Sequence, residues 1–337
     1  MRYISALTLT VLLIGASAAV HAANNPGVLV VTASNAAQNQ LLVHDASAHL
    51  IQTLSTQGQG GVGGNAGGVT THGDLVAAVN FGSKTVAVFS RAKQGLQFSQ
   101  LVSSISSPVS VAFGHGHLYI LGTTKVESHK VYGSHVDGNA DGVVTLLLAD
   151  GSAAQVGVLN TQVIISEKNN VIETANLLDD GSVSGIASLV KNIPQNVNAP
   201  FGLVTRGNNA YVTIAHADEI SLVRNDVVLT TTGSGTQHAP CWVALAGPFL
   251  YSANSPSMSV SRYSVYGQQI VQDVAVAATF NGHPTDIAAG AGLIAVIDGN
   301  GQASHLSIFQ VDEDGNLTLQ GVSTMSSANG VAVVEND

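Results

Sequence analysis

His238, His283 and Asp286 are the residues of this chain whose types best suit proton transfer. An imidazole oriented by a carboxylate can take a proton from water, and so open an ester or a related carbonyl compound. The same two imidazoles equally suit a metal ion, or a plain structural role as polar caps at strand ends bonded to channel water. Glu167 is a further acid/base candidate; Lys168 beside it could pair with it and lower its pKa, and the alternative is a solvated turn. Asn65, Gln155, Asn198 and Cys241 recur at related positions and could orient a ligand, although Cys241 beside Trp242 also reads as a small buried hydrophobe. Asp137-Gly138-Asn139-Ala140-Asp141-Gly142 alternates oxygen ligands ahead of a turn glycine, as a calcium loop does. Leu148 stands where the closing bidentate acid of an EF-hand would be, so the loop is calcium-binding of another kind or a hairpin turn. His115 and His117 flank Gly116 and read either as an exposed turn or as a transition-metal pair.

What would position these groups is a repeat. A short phrase returns as Ser107-Pro108-Val109-Ser110-Val111-Ala112, Ala199-Pro200-Phe201-Gly202-Leu203-Val204, Ala239-Pro240-Cys241-Trp242-Val243-Ala244 and His283-Pro284-Thr285-Asp286-Ile287-Ala288. Its proline slot falls at Ala66, Pro108, Ala153, Pro200, Pro240, Pro284 and Ala328, with steps of 42, 45, 47, 40, 44 and 44 residues. Eleven residues beyond a slot lies a strand centre: Ala77, Tyr119, Ile164, Tyr211, Tyr251 and Ala295. Three residues further come Asn80, Gly122, Glu167, Ile214, Asn254 and Asp298. Repeats of this length with several strands each are the mark of a β-propeller. The reading is therefore an all-β, seven-bladed β-propeller spanning residues 23–337 as one domain. The first unit has three strands, Val28–Thr32, Gln40–His44 and Leu50–Leu54, and the C-terminal Ser327–Val334 supplies its fourth, which closes the ring. The innermost strand of each blade starts near the slot. Polar residues there, His238, His283, Gln155, Asn65 and Asn198 among them, should converge on one axial mouth.

Composition narrows the partners. A net charge of −10, with no basic run, disfavours nucleic acid and anionic membrane surfaces. Residues 1–22 read as a secretory leader, with Arg2 ahead of an apolar run and Val20-His21-Ala22 as a small-x-small cleavage site. The protein is thus expected in a secreted or periplasmic setting, without a membrane span and as a monomer. With a single cysteine it must be held by packing rather than by disulfides. Gly58 to Gly68 reads as a flexible linker into the second blade.

From about residue 150 to 290 the phrases become specific. Gln155-Val156-Gly157-Val158, Ile164 to Ile172, Ala199-Pro200-Phe201-Gly202 and His238 to Val243 resemble consecutive stretches of secreted lactonase-like seven-bladed propellers. Leu250-Tyr251-Ser252-Ala253-Asn254 followed by Met258 to Tyr263 is similar to the Tyr-Val-x-Asn turn of the wider YVTN-type propellers. The resemblance implies the propeller fold. It also implies relation to two enzyme branches, 6-phosphogluconolactonases and carboxymuconate cyclases, which open or close lactone rings with His, Arg and Glu side chains around the central channel. This chain departs from both. Beyond the leader its arginines are Arg91, Arg206, Arg224 and Arg262, none in a slot strand. Only Gly282-His283-Pro284 remains of the His-Pro-rich segment. Phosphorylated or tricarboxylate substrates usually need Arg or Lys clamps. The expected activity is binding, with hydrolysis in view, of a small cyclic ester or related carbonyl compound, with no required cofactor. The alternative is a non-catalytic scaffold for a protein or a surface glycan.

Overall fold

The computed structural model describes residues 27–63, 67–193 and 199–335; the leader at residues 1–22, and the candidates Asn65 and Asn198, lie outside the described residues. The described chain forms seven antiparallel sheets, taken up one after another along the sequence. Blades 2 and 4 to 7 are four-stranded meanders, each running from an inner strand to an outer one. In blade 3 the outer strand is split into His135–Val136 and Gly142–Thr145, both paired with Lys125–Tyr132. Blade 1 is composite. Leu29–Ala33, Gln40–Asp45 and Leu50–Ser55 are completed on the inner side by Asn329–Val334, with Leu29 opposite Val334 and Val31 opposite Ala332.

The sequence pattern follows from stacking. The second strand of each blade is covered on both faces by its neighbours, so it reads as an unbroken apolar run rather than an alternation. Leu75–Asn80, His117–Gly122 and Phe249–Asn254 are buried at all or nearly all positions. The six strand centres expected from the repeat, Ala77, Tyr119, Ile164, Tyr211, Tyr251 and Ala295, are at most 1% exposed. A buried tyrosine needs a partner for its hydroxyl. Tyr119 Oη donates to Gly181 O at 2.7 Å and Tyr251 Oη to Gly315 O at 2.7 Å, in each case tying one blade to an outer turn of the next. Burying each such side chain contributes roughly 1.5–3 kcal/mol. The apolar clusters overlap from blade to blade around the ring, with no single centre.

Near the axis, side chains stitch the inner strands together. Ser110 Oγ donates to Gly67 O and accepts from Val156 N, linking blades 2, 3 and 4. Gln155 Oε1 accepts from Leu203 N at 2.7 Å and Thr71 Oγ1 donates to Val333 O at 3.0 Å, while from the second strand of blade 5 Thr213 Oγ1 donates to Cys241 O at 3.0 Å. The glycine-rich stretch is no flexible linker over its described part. Asn35 Oδ1 accepts from Gly61 N and Val62 N, and Asn35 Nδ2 donates to Val62 O. Gly60 lies against the Asn35 backbone, where a Cβ would collide. The glycines are there for close approach.

Candidate functional site

The inner strands of blades 3 to 7 share a feature beyond the repeat: each carries a β-bulge near its start. It falls between Pro108 and Ser110, Ala153 and Gln155, Pro200 and Leu203, Pro240 and Trp242, and Pro284 and Asp286. A bulge re-aims the side chains beside it. The ring of inner strands encloses an axial cavity of about 530 Å³ that all seven blades line. Apolar residues such as Val111, Val156, Leu203, Trp242, Ile287 and Val331 line it, but polar groups make up at least as much of its surface. Its polar lining residues are Gln155, Asp286, His115, Thr70, Thr71 and Thr205, and among the described residues no lysine or arginine lines it. Against expectation Arg206 does belong to a slot strand, Pro200–Arg206, but it ends that strand exposed and donates to Gly247 O.

Asp286 is the ionisable carboxyl of this lining and is almost completely buried. Its carboxylate accepts from Ile287 N at 2.9 Å, from Val331 N at 3.1 Å, and from Gly67 N. Burial nevertheless outweighs these donors and pushes its pKa up to about 7. Near neutrality the group can therefore give or take a proton.

The two candidate histidines sit elsewhere and are bonded elsewhere. His238 is exposed; its Nδ1 lies 2.9 Å from Asp218 Oδ2, and its backbone N–H donates to Ser257 Oγ. His283 is exposed and its Nδ1 donates to Ser255 O at 2.9 Å. Each flanks the Ser255–Met258 turn, and neither is bonded to Asp286 or lines the axial cavity. Gln155 does line it. Cys241 does not: its thiol is largely enclosed, and burial pushes its pKa up to about 12.

Glu167 ends the second strand of blade 4 and is fully buried rather than solvated. Ser152 Oγ donates to its Oε2 at 2.8 Å, while Oε1 has no partner. Burial pushes its pKa up to about 8, with Glu173 and Asp150 adding to the rise and Lys168 opposing it too weakly to prevail. The expected lowering by Lys168 is thus reversed by desolvation. Lys168 itself lies 5.9 Å over the Phe201 ring.

In the Asp137–Asp141 loop the carboxylates are engaged singly. Asp137 Oδ1 accepts from Asn139 N at 3.0 Å, and Asp141 accepts from Ser128 Oγ at 2.6 Å and faces His117 Nε2 at 2.8 Å. Among the described residues no three His, Cys, Asp or Glu side chains gather in a way that could hold a metal ion. His117 is not an exposed turn residue. It is 1% exposed, set between Asp141 and the carbonyl of His115.

Two further buried acids shape the junctions between blades. Glu173 accepts from Leu147 N and Leu148 N at 2.8 and 2.7 Å, and Glu127 accepts from Ser104 Oγ and Ile105 N at 2.8 Å each. Both sit on third strands and cap the chain as it enters from the preceding blade. Neither strand is apolar around its glutamate, so the pattern along the chain does not single these acids out. Nor does it single out Asp298 with His305, a pair made legible by its cross-strand register.

No protein-family model matches the sequence, and no curated protein matches it. Solved structures match in shape. A functionally unknown protein from Desulfotomaculum acetoxidans is 11% identical, with 92% of this chain and 99% of that chain covered and a TM-score of 0.69. A protein provisionally named as a 6-phosphogluconolactonase, from Bacteroides fragilis, is 12% identical, with 91% and 98% covered and a TM-score of 0.65. A virginiamycin B lyase from Staphylococcus aureus is 13% identical, with 76% and 83% covered and a TM-score of 0.57. No helix among the described residues is long and apolar enough to cross a membrane. Likeness at such identities speaks to architecture alone, and on that the sheets and the neighbours agree: the chain is a seven-bladed β-propeller, closed by pairing its C-terminal strand into the N-terminal blade.

Proposed function

We propose that this protein binds a small, uncharged cyclic ester or related carbonyl compound in its axial cavity, in the manner of a lactonase-like propeller. One observation carries the reading: a cavity of about 530 Å³, lined by every blade, in which apolar and hydrogen-bonding groups share the surface. Concave sites of mixed lining take small ligands that polar groups orient. The absence of lysine and arginine from the lining argues against phosphorylated substrates, which such residues clamp. Asp286 is the group placed to assist hydrolysis, by exchanging a proton with water beside the bound carbonyl. His238 and His283 would act only on a ligand that extends past the mouth onto the Ser255–Met258 turn. The leader read at residues 1–22 places the protein outside the cytoplasm in this proposal.

Trp242 supplies the test. It is the only tryptophan of the chain and it lines the cavity, so its emission reports axial ligands directly. Titration with a panel of neutral lactones should shift or quench that emission saturably, and Ala289→Leu, which narrows the cavity, should weaken the response at least about tenfold through steric exclusion. Emission unmoved by every lactone in the panel would remove the proposal.

The second reading is a non-catalytic scaffold for a protein or a glycan. It draws on Ile186, 82% exposed on the outer strand of blade 4, with Leu178 and Leu189 also exposed on that blade.

A further inference from the structure

A second cavity, of about 380 Å³, opens on the flank between blades 6 and 7. One wall is the end of the outer strand of blade 6 and the residues after it, including Phe280. The other wall is one face of blade 7. Asp298 stands opposite His305, Ser307 opposite Val322, and Phe309 opposite Leu319. The rings of Phe280 and Phe309 meet edge to face, with centroids 6.1 Å apart. Leu319 and Val322 are each 53% exposed, so the groove is open to solvent along its apolar side.

The polar end of this groove is built. Asp298 Oδ2 lies 3.1 Å from His305 Nδ1, and the side chains are 3% and 22% exposed. Gly282 passes directly over the carboxylate; a Cβ there would lie 2.6 Å from Oδ2. The chain thus seals Asp298 from solvent and leaves His305 as its outlet. A carboxylate oxygen can only accept, so Nδ1 carries a proton, and in the neutral form of the ring Nε2 is then an acceptor. No protein group among the described residues bonds that nitrogen. What complements such a groove is an aromatic ring bearing a hydroxyl, whose ring fills the Phe280–Phe309–Leu319 side while its O–H donates to His305.

We propose that the blade 6–7 groove is a binding site for phenol-class ligands, with His305 Nε2 as the acceptor that selects the hydroxyl. The site is separate from the axial cavity and does not depend on what binds there.

Calorimetric titration of the full chain with 2-naphthol and with 2-methoxynaphthalene tests this. The two probes share a ring system, and only the first has a donor. The wild type should bind 2-naphthol about fivefold more tightly than the methyl ether, the worth of one net hydrogen bond. His305→Ala should erase that preference while weak binding of both probes remains. Val322→Trp, at a position on the groove wall that is 53% exposed, should abolish binding of both. Ala289→Leu, in the axial cavity, should leave 2-naphthol binding unchanged. Equal affinities for the two probes in the wild type, a preference that survives His305→Ala, or binding that survives Val322→Trp would each overturn the proposal, as would the absence of any binding heat. An effect of Ala289→Leu would move the probe to the axis and overturn it too.

Discussion

The carboxylate of Asp286 accepts the backbone N–H of Val331 at 3.1 Å, joining the inner strand of the last blade to that of the first. The bond lies at the seam where the ring closes, and the same carboxylate holds Ile287 N and Gly67 N. Removing it leaves those donors buried and unpaired, a loss of about 1–3 kcal/mol for each that finds no water. Asp286→Ala should therefore lower unfolding free energy by at least about 3 kcal/mol, read from the urea midpoint at unchanged m-value.

Asp286 also predicts how stability varies with pH. Its pKa is raised from 3.8 to about 7 in the folded state, so the folded chain holds this proton more tightly than the unfolded chain does. The resulting stabilisation is complete below about pH 4 and is lost as pH rises towards 7, by up to about 1.4 kcal/mol per unit between the two pKa values. Asp286→Asn should flatten that part of the curve, as measured by urea unfolding at stepwise pH.

Glu167 should behave alike at higher pH. Its pKa is raised from 4.5 to about 8, so stability falls between those values as the buried carboxyl ionises beside an unpartnered Oε1. Glu167→Gln keeps the shape of the protonated acid. It should leave Tm near that of the wild type at pH 4 and raise it by a few degrees at pH 9, a comparison that differential scanning calorimetry makes directly.

Cys241 should be inert. Enclosure pushes its thiol pKa up to about 12, and only thiolate attacks disulfide reagents. As the single cysteine, it gives an unambiguous signal with a colorimetric disulfide reagent: no release from the native protein over an hour, and one equivalent within minutes in urea.

The repeat read in the sequence maps closely onto the sheets. The slots at Pro108, Ala153, Pro200 and Pro240 are the first residues of inner strands, and Asn80, Gly122, Glu167, Ile214 and Asn254 each end a second strand. These were legible because burial on both faces forces long apolar runs between turn residues. The axial grouping was only partly so. Gln155 and Asp286 do reach the cavity, yet His283, three residues before Asp286, stays exposed beyond the intervening bulge. Hydrophobic periodicity records the average alternation of a strand and is blind to one extra residue. Glu167 was misjudged for a related reason: at the end of a strand, only the packing of the next blade decides whether a carboxyl meets water.

Because Leu29 stands directly opposite Val334 in blade 1, the two ends of the described fold lie side by side. Antiparallel partners are about 5 Å apart. The covalent starting point of this circle is then arbitrary. A few-residue bridge from the Glu335 side to Gly27 would permit the polypeptide to be reopened at another hairpin, such as the exposed Gly207–Asn208, and to yield the same wheel with its hub undisturbed.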